Sequence, residues 1–296
     1  MLPPVEMVES VPDKPNVAAG FVAHVPPWSL VVFGIISVQI GAAFAKSLFE
    51  VSGTAGVVFI RTLVAAVVFT VIWRPRWRGY TRRVYIYMVL YGIVIAANML
   101  LFYAAISRIP LGVAVAIAFA GPLLVAVLGS RKLMDFVWVV LAAIGIILLS
   151  PLTNVALDGF GVLLALITAV AWALYIILTK RVSGLLEGHT ALALSMCMAA
   201  LVALPFGGFG AAKVLADPGL FVTGLLVALL SSVIPFAMDF TAMKRLTSRV
   251  FGLLASVEPV AGAVIGFIVL HEGLGLREII GIGLVTVAAI ATTRGT

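Results

Sequence analysis

Residues Val250–Glu272 read VFGLLASVEPVAGAVIGFIVLHE, and this stretch decides the fold. From Val250 to Leu270 nearly every position is apolar or small, a run that meets the roughly 20 residues a bilayer demands of a spanning helix. Yet it carries a carboxylate, Glu258, followed at once by Pro259. An ionised carboxyl at the centre of a membrane helix costs about 2.5 to 3.5 kcal/mol. A proline inside the helix removes one backbone hydrogen bond and frees the carbonyl of Ala255. Such a helix needs a protein or water-lined neighbour on that side, not lipid.

The rest of the chain has the same character. Of 296 residues, 63% are hydrophobic and 10% charged, with a mean hydropathy of +1.24. No soluble domain hides that much apolar surface, so the class is an all-α integral membrane protein. Apolar runs broken by Gly, Pro or charge predict ten transmembrane helices, at 28–47, 54–73, 84–107, 110–130, 135–151, 159–179, 189–207, 218–237, 249–270 and 277–293. Residues 1–27, rich in proline and charge, lack a signal-peptide pattern and read as a disordered cytoplasmic tail.

The net charge of +7 does not point to nucleic acid, because the basic residues lie in short loops between apolar runs, where they set orientation. With the N-terminus inside, 14 of the 19 Lys and Arg fall on inner segments, among them Arg74, Arg76, Arg78, Arg82, Arg83, Arg131, Lys132, Lys180 and Arg181. Both termini are therefore expected in the cytoplasm. The single cysteine, Cys197, lies inside an apolar run, which excludes a disulfide framework and a thiolate metal site.

Laying the chain on itself with an offset of 137 aligns Arg108–Ser130 with Arg245–Phe267 without a gap, with seven identities in 23 positions, Pro122/Pro259 among them. Each half, 28–151 and 159–293, then holds five spans. Five is odd, so the second half enters the membrane upside down: two inverted five-helix repeats, the usual scaffold of alternating-access transporters.

Glu258 is the first candidate for chemistry, as a titrating group or a site for a substrate ammonium; the alternative is a structural hydrogen bond beside Pro259. Arg61, in the second span, either meets a substrate carboxylate, pairs with a carboxylate such as Glu258, or snorkels outward. Gln39, Asn98 and Thr168 fall near mid-membrane, able to line the pathway or to hydrogen-bond between helices. Trp172, Tyr175, Tyr91 and Tyr103 form pocket walls or plain packing. Pro122 and Pro259 are expected to kink their helices, and Ser231, Ser232 and Pro235 to kink the eighth span. Asp239, just beyond the eighth span, reads as an inner loop residue, with a gate charge as the alternative. Lys46 and Glu50 read as interfacial anchors. His271 beside Glu272 lacks companions at metal spacing. No catalytic or phosphate-binding motif is present, so no cofactor is expected, and energy must come from an ion gradient or the substrate's own gradient.

At these residues the chain resembles a known family. The FIRTLVAA of the second span, the SVEPVAGAVIGFIVLHEGLGLREIIGIGLV of the ninth and tenth, and the GPLLVAVLG of the fourth resemble the EamA type of the drug/metabolite transporter superfamily. More narrowly, QIGAAFAKSLF (39–49), residues 98–142 and TSRVFGLLASVEP (247–259) resemble threonine/homoserine exporters of bacterial inner membranes. The resemblance implies export of small polar amino acids by alternating access, coupled to protons, with Glu258 taking the proton or the ammonium and Arg61, Gln39 and Asn98 orienting the rest. An exporter of drugs or other metabolites, and a membrane-embedded enzyme or scaffold, are the alternatives. The resembled exporters often read Glu-Phe-x-Gly-Pro where this chain has Ala118-Phe119-Ala120-Gly121-Pro122. Coupling through a pair of acids thereby loses its second member, and Glu258 is the only carboxylate expected deep in the spans.

Overall fold

A computed structural model describes residues 25–75, 77–128, 158–183, 190–243, 257–271 and 275–295, with scattered positions at 137–148, 245–246, 254–255 and 273. The tail up to residue 24, the loop basic residues Arg131 and Lys132, most of the expected fifth span and Glu272 lie outside the described residues. What is described is helical: α1 (Pro27–Lys46), α2 (Phe49–Trp73), α3 (Arg82–Ile106), α4 (Leu111–Ala118), α5 (Ala120–Leu128), α6 (Gly159–Ser183), α7 (Thr190–Ala216), α8 (Pro218–Ala228), a π-helical turn at Leu229–Val233, α9 (Ile234–Met243), α10 (Glu258–Leu270) and α11 (Leu276–Gly295). Six of these segments are long and apolar enough to cross a bilayer, the sixth being Pro218–Met243 taken through its π turn.

Large apolar side chains face outward along these helices, among them Phe33, Val71, Phe206, Phe209 and Ile268. A lipid-facing surface has this composition, because hydrocarbon supplies no water for apolar groups to escape. Helices then associate through close packing of small residues. The α2–α7 seam shows it: a Cβ added at Gly207 would strike the carbonyl of Ala55, and one at Gly210 the carbonyl of Ser52. Inside α2, Gly53 adopts φ +67°, ψ +166° and breaks the helix near the point where the sequence predicts it to start. That φ suits glycine, which lacks the clashing Cβ.

Three expected spans are corrected. The fourth is interrupted at Phe119, between α4 and α5. The ninth does not run unbroken from 249: α10 begins at Glu258, with Val257 as its N-cap and Pro259 in its first turn. Pro122 likewise lies in the first turn of α5. A proline there removes no helical hydrogen bond, since the first N–H groups of a helix have no partner within it. The two prolines thus begin helical segments and do not kink them. The eighth span runs on to Met243, which carries Asp239 into a helix and out of the expected loop.

The packing relates segments in a recurring way. α3 lies on α6 and α7, α4 and α5 on α6; correspondingly α9 and the π turn lie on α1, α8 and the π turn on α2, and α10 on α1. Where the paired segments α4 and α10 meet, Gly112 abuts Ala263 and Gly262 abuts Val115, the nearest approaches to an added Cβ being 2.9 and 3.1 Å.

Candidate functional site

Two polar clusters lie inside this bundle. The first is built around Glu258. As the first residue of α10 it sits where unpaired backbone N–H groups gather, half-buried against α1 and α4. Its electrostatic neighbour is Asp239 of α9, whose Oδ1 lies 3.5 Å from where a Cβ on Gly34 of α1 would stand. Asp239 in turn lies within electrostatic range of Tyr91 and Tyr175. Those rings stack at 5.6 Å, Thr179 donates to the Tyr91 hydroxyl at 3.0 Å, and Tyr175 meets Phe236 edge-on at 6.0 Å. Asp239 thereby lies within electrostatic range of a carboxylate on α10 and of two stacked phenols on α3 and α6.

The second cluster is built around Arg61, which neither snorkels nor pairs with Glu258. Its side chain is 4% exposed, donates from Nε to Ser232 Oγ at 3.1 Å and from Nη2 to the carbonyl of Ser231, and lies over the Tyr103 ring at 4.6 Å. The sequence explains the carbonyl. Pro235 has no N–H, so the acceptor four residues earlier, Ser231 O, loses its helical donor. The chain relaxes into the π turn at Leu229–Val233, and Ile234 N–H reaches back to Leu229 O. Arg61 fills the acceptor that the proline leaves.

The remaining candidates are distributed around these clusters. Asn98 Nδ2 donates to the backbone carbonyl of Thr168 at 3.4 Å, while the Thr168 hydroxyl bonds back to Leu164 O of its own helix at 2.8 Å. Trp172 packs edge-on to Phe119 at 6.0 Å, beside Ala255, where both helix interruptions meet. Gln39 is buried on α1, and so is Ser37 two residues before it, whose hydroxyl donates to Leu230 O at the π turn. Lys46 and Glu50 stay at the α1–α2 end, apart from both clusters.

Comparison with known proteins follows the same lines. A family model described as the EamA-like transporter family matches residues 159–294. Over nearly the whole chain, the threonine/homoserine exporter RhtA of Escherichia coli (strain K12) is 35% identical across 280 residues, covering 93% of this chain and 94% of its own. RhtA of Salmonella typhimurium (strain LT2) is 35% identical over the same shares. The chain belongs to the EamA-like transporter family. A solved structure covering 89% of this EamA-like chain and 96% of its own superposes with a TM-score of 0.62 at 16% identity, a likeness of fold alone. Membership makes the protein a multi-pass membrane transporter and not an enzyme.

Within this EamA-like transporter, sequence reasoning placed Asp239 in a loop beyond the eighth span, and it missed the partnership of Arg61 with the π turn. Both had a signal. The apolar run from Pro218 continues past Asp239 to Met243, and Pro235 marks Ser231 as an acceptor in need of a donor.

Proposed function

We propose that this protein exports small polar amino acids, threonine and homoserine, across a bacterial inner membrane. It works by alternating access of two inverted five-helix halves, 28–151 and 159–293, with both termini in the cytoplasm. The observation that carries the cargo is the near full-length similarity to the RhtA exporters. The inverted repeat is supported by the 137-residue offset, by helix interruptions at Phe119 and just before Glu258, and by the recurrence of the helix pairings.

Protons drive the cycle in this reading. Glu258 carries them at the start of α10, where half-helix ends and freed backbone groups build transporter sites, with Asp239 of α9 as its partner. Arg61, Gln39, Asn98 and Thr168 orient the amino acid, and Trp172 and Tyr175 wall its path. The lipid bilayer is the other partner; neither cofactor nor metal takes part. Cells that overproduce the protein should hold smaller threonine and homoserine pools and resist both amino acids. Unchanged pools at confirmed membrane expression would remove this cargo in favour of drugs or other metabolites.

A further inference from the structure

A buried guanidinium offers five N–H donors and a charge that proteins ordinarily meet with a carboxylate or phosphate. Arg61 has the π turn and an aromatic face instead, and no carboxylate pairs with it among the described residues. Two polar groups on the residues that touch it are incomplete. The Tyr103 hydroxyl lies beside the guanidinium, Ser231 is the residue whose carbonyl receives Nη2, and both side chains are 1% exposed. By hydrogen-bond geometry neither hydroxyl has a partner among the described residues, the Tyr103 hydroxyl having only the guanidinium beside it. A clamp that merely held the π turn would account for the Arg61 bonds. It would leave both hydroxyls unmet, which a buried polar group seldom is.

We propose that Arg61, Tyr103 and Ser231 form the subsite for the carboxylate of the transported amino acid, its oxygens accepting from the guanidinium and from both hydroxyls. This rests on the amino-acid cargo proposed above. The chain separates this subsite from the acid pair. Ser231 and Asp239 are eight residues apart on one helical run, a rise of about 12 Å. The ammonium and carboxylate of an α-amino acid share one carbon, so a molecule held at Arg61 does not place its ammonium on Asp239. The acids are then free for protons while the substrate is held.

Calorimetry on the purified full-length transporter, with threonine, homoserine and threoninamide, tests the subsite. Wild type should bind threonine about 10- to 100-fold more tightly than its amide, the discrimination expected of charge-assisted hydrogen bonds. Tyr103→Phe and Ser231→Ala remove hydroxyls that meet no partner by hydrogen-bond geometry among the described residues, so they should melt like wild type while narrowing that ratio to within several-fold. Arg61→Lys should keep part of it. Equal binding of threonine and its amide by wild type would overturn the subsite and leave the cargo standing. An undiminished ratio in both hydroxyl variants would also overturn it. Binding of neither threonine nor homoserine would overturn subsite and cargo together.

Discussion

Glu258 and Gly121 occupy equivalent positions under the 137-residue offset, and the structure explains why only one carries a charge. A Cβ at Gly121 would drive into the backbone carbonyl of Ala169 on α6, so the first half has no room for a side chain there. Glu258 opens α10, half-buried, with Asp239 as its electrostatic neighbour. Ala118, at the step where an acid pair would need its second member, is fully buried in α4, and the second carboxylate near Glu258 is Asp239, on α9. If this pair carries the proton, Glu258→Gln should abolish the pH dependence of efflux with the amount of protein in the membrane unchanged. Efflux assays across external pH, with immunoblots of the membrane fraction, check it; a Glu258→Gln protein that retains the wild-type pH profile removes Glu258 from coupling.

At the level of elements, prolines decide where helices begin, bulge and offer acceptors. Pro235→Ala would return an N–H to the helix, closing the bond to Ser231 O and displacing Arg61 Nη2. The variant should be at least as stable to heat as wild type but transport at least tenfold more slowly, measured as melting temperature and initial efflux rate on one preparation. Unaltered efflux would separate the π turn from function.

The α3–α4 connection behaves differently, because it lies at the surface. There Arg108 pairs with Asp158 at 2.7 Å, and Asp158 Oδ1 also accepts the N–H of Phe160 at the start of α6. The Arg108 guanidinium, with that backbone bond, holds the Asp158 carboxyl below its usual value of 3.8. A carboxyl depressed on folding contributes stability above its unfolded pKa and loses it as pH falls through the folded one. Thermal melts should therefore show an acid-side loss below about pH 3.8 that shrinks in Asp158→Asn, a small effect for an exposed pair. An identical acid slope in the variant would contradict it.

The membrane class, the long apolar helices and the inward acid at Glu258 were legible because each rests on local composition or a single conspicuous residue. What escaped depends on position in three dimensions. Hydropathy alone runs the ninth helix through Val257, since nothing apolar distinguishes a helix interior from two half-helices meeting at a proline. It also ends the eighth helix before Asp239, since a carboxylate counts against membrane burial until a helix such as α1, with Gly34, is seen to receive it. Arg61 stayed open among three readings because its partners lie some 170 residues away in sequence, at Ser231 and Ser232.

For the molecule as a whole, one helical run, Pro218–Met243, carries both Asp239 and the Arg61 partners Ser231 and Ser232, and it packs on α1 and α2 of the other proposed half. Rocking of the halves would move both together, so proton entry and amino-acid exit become two ends of one motion. The direct test is flux through the purified protein alone. Proteoliposomes loaded with radiolabelled threonine or homoserine should release it faster than protein-free vesicles, and faster again when an inward proton gradient is imposed. Release no faster than from protein-free vesicles, for both amino acids and with the gradient in place, would contradict the account.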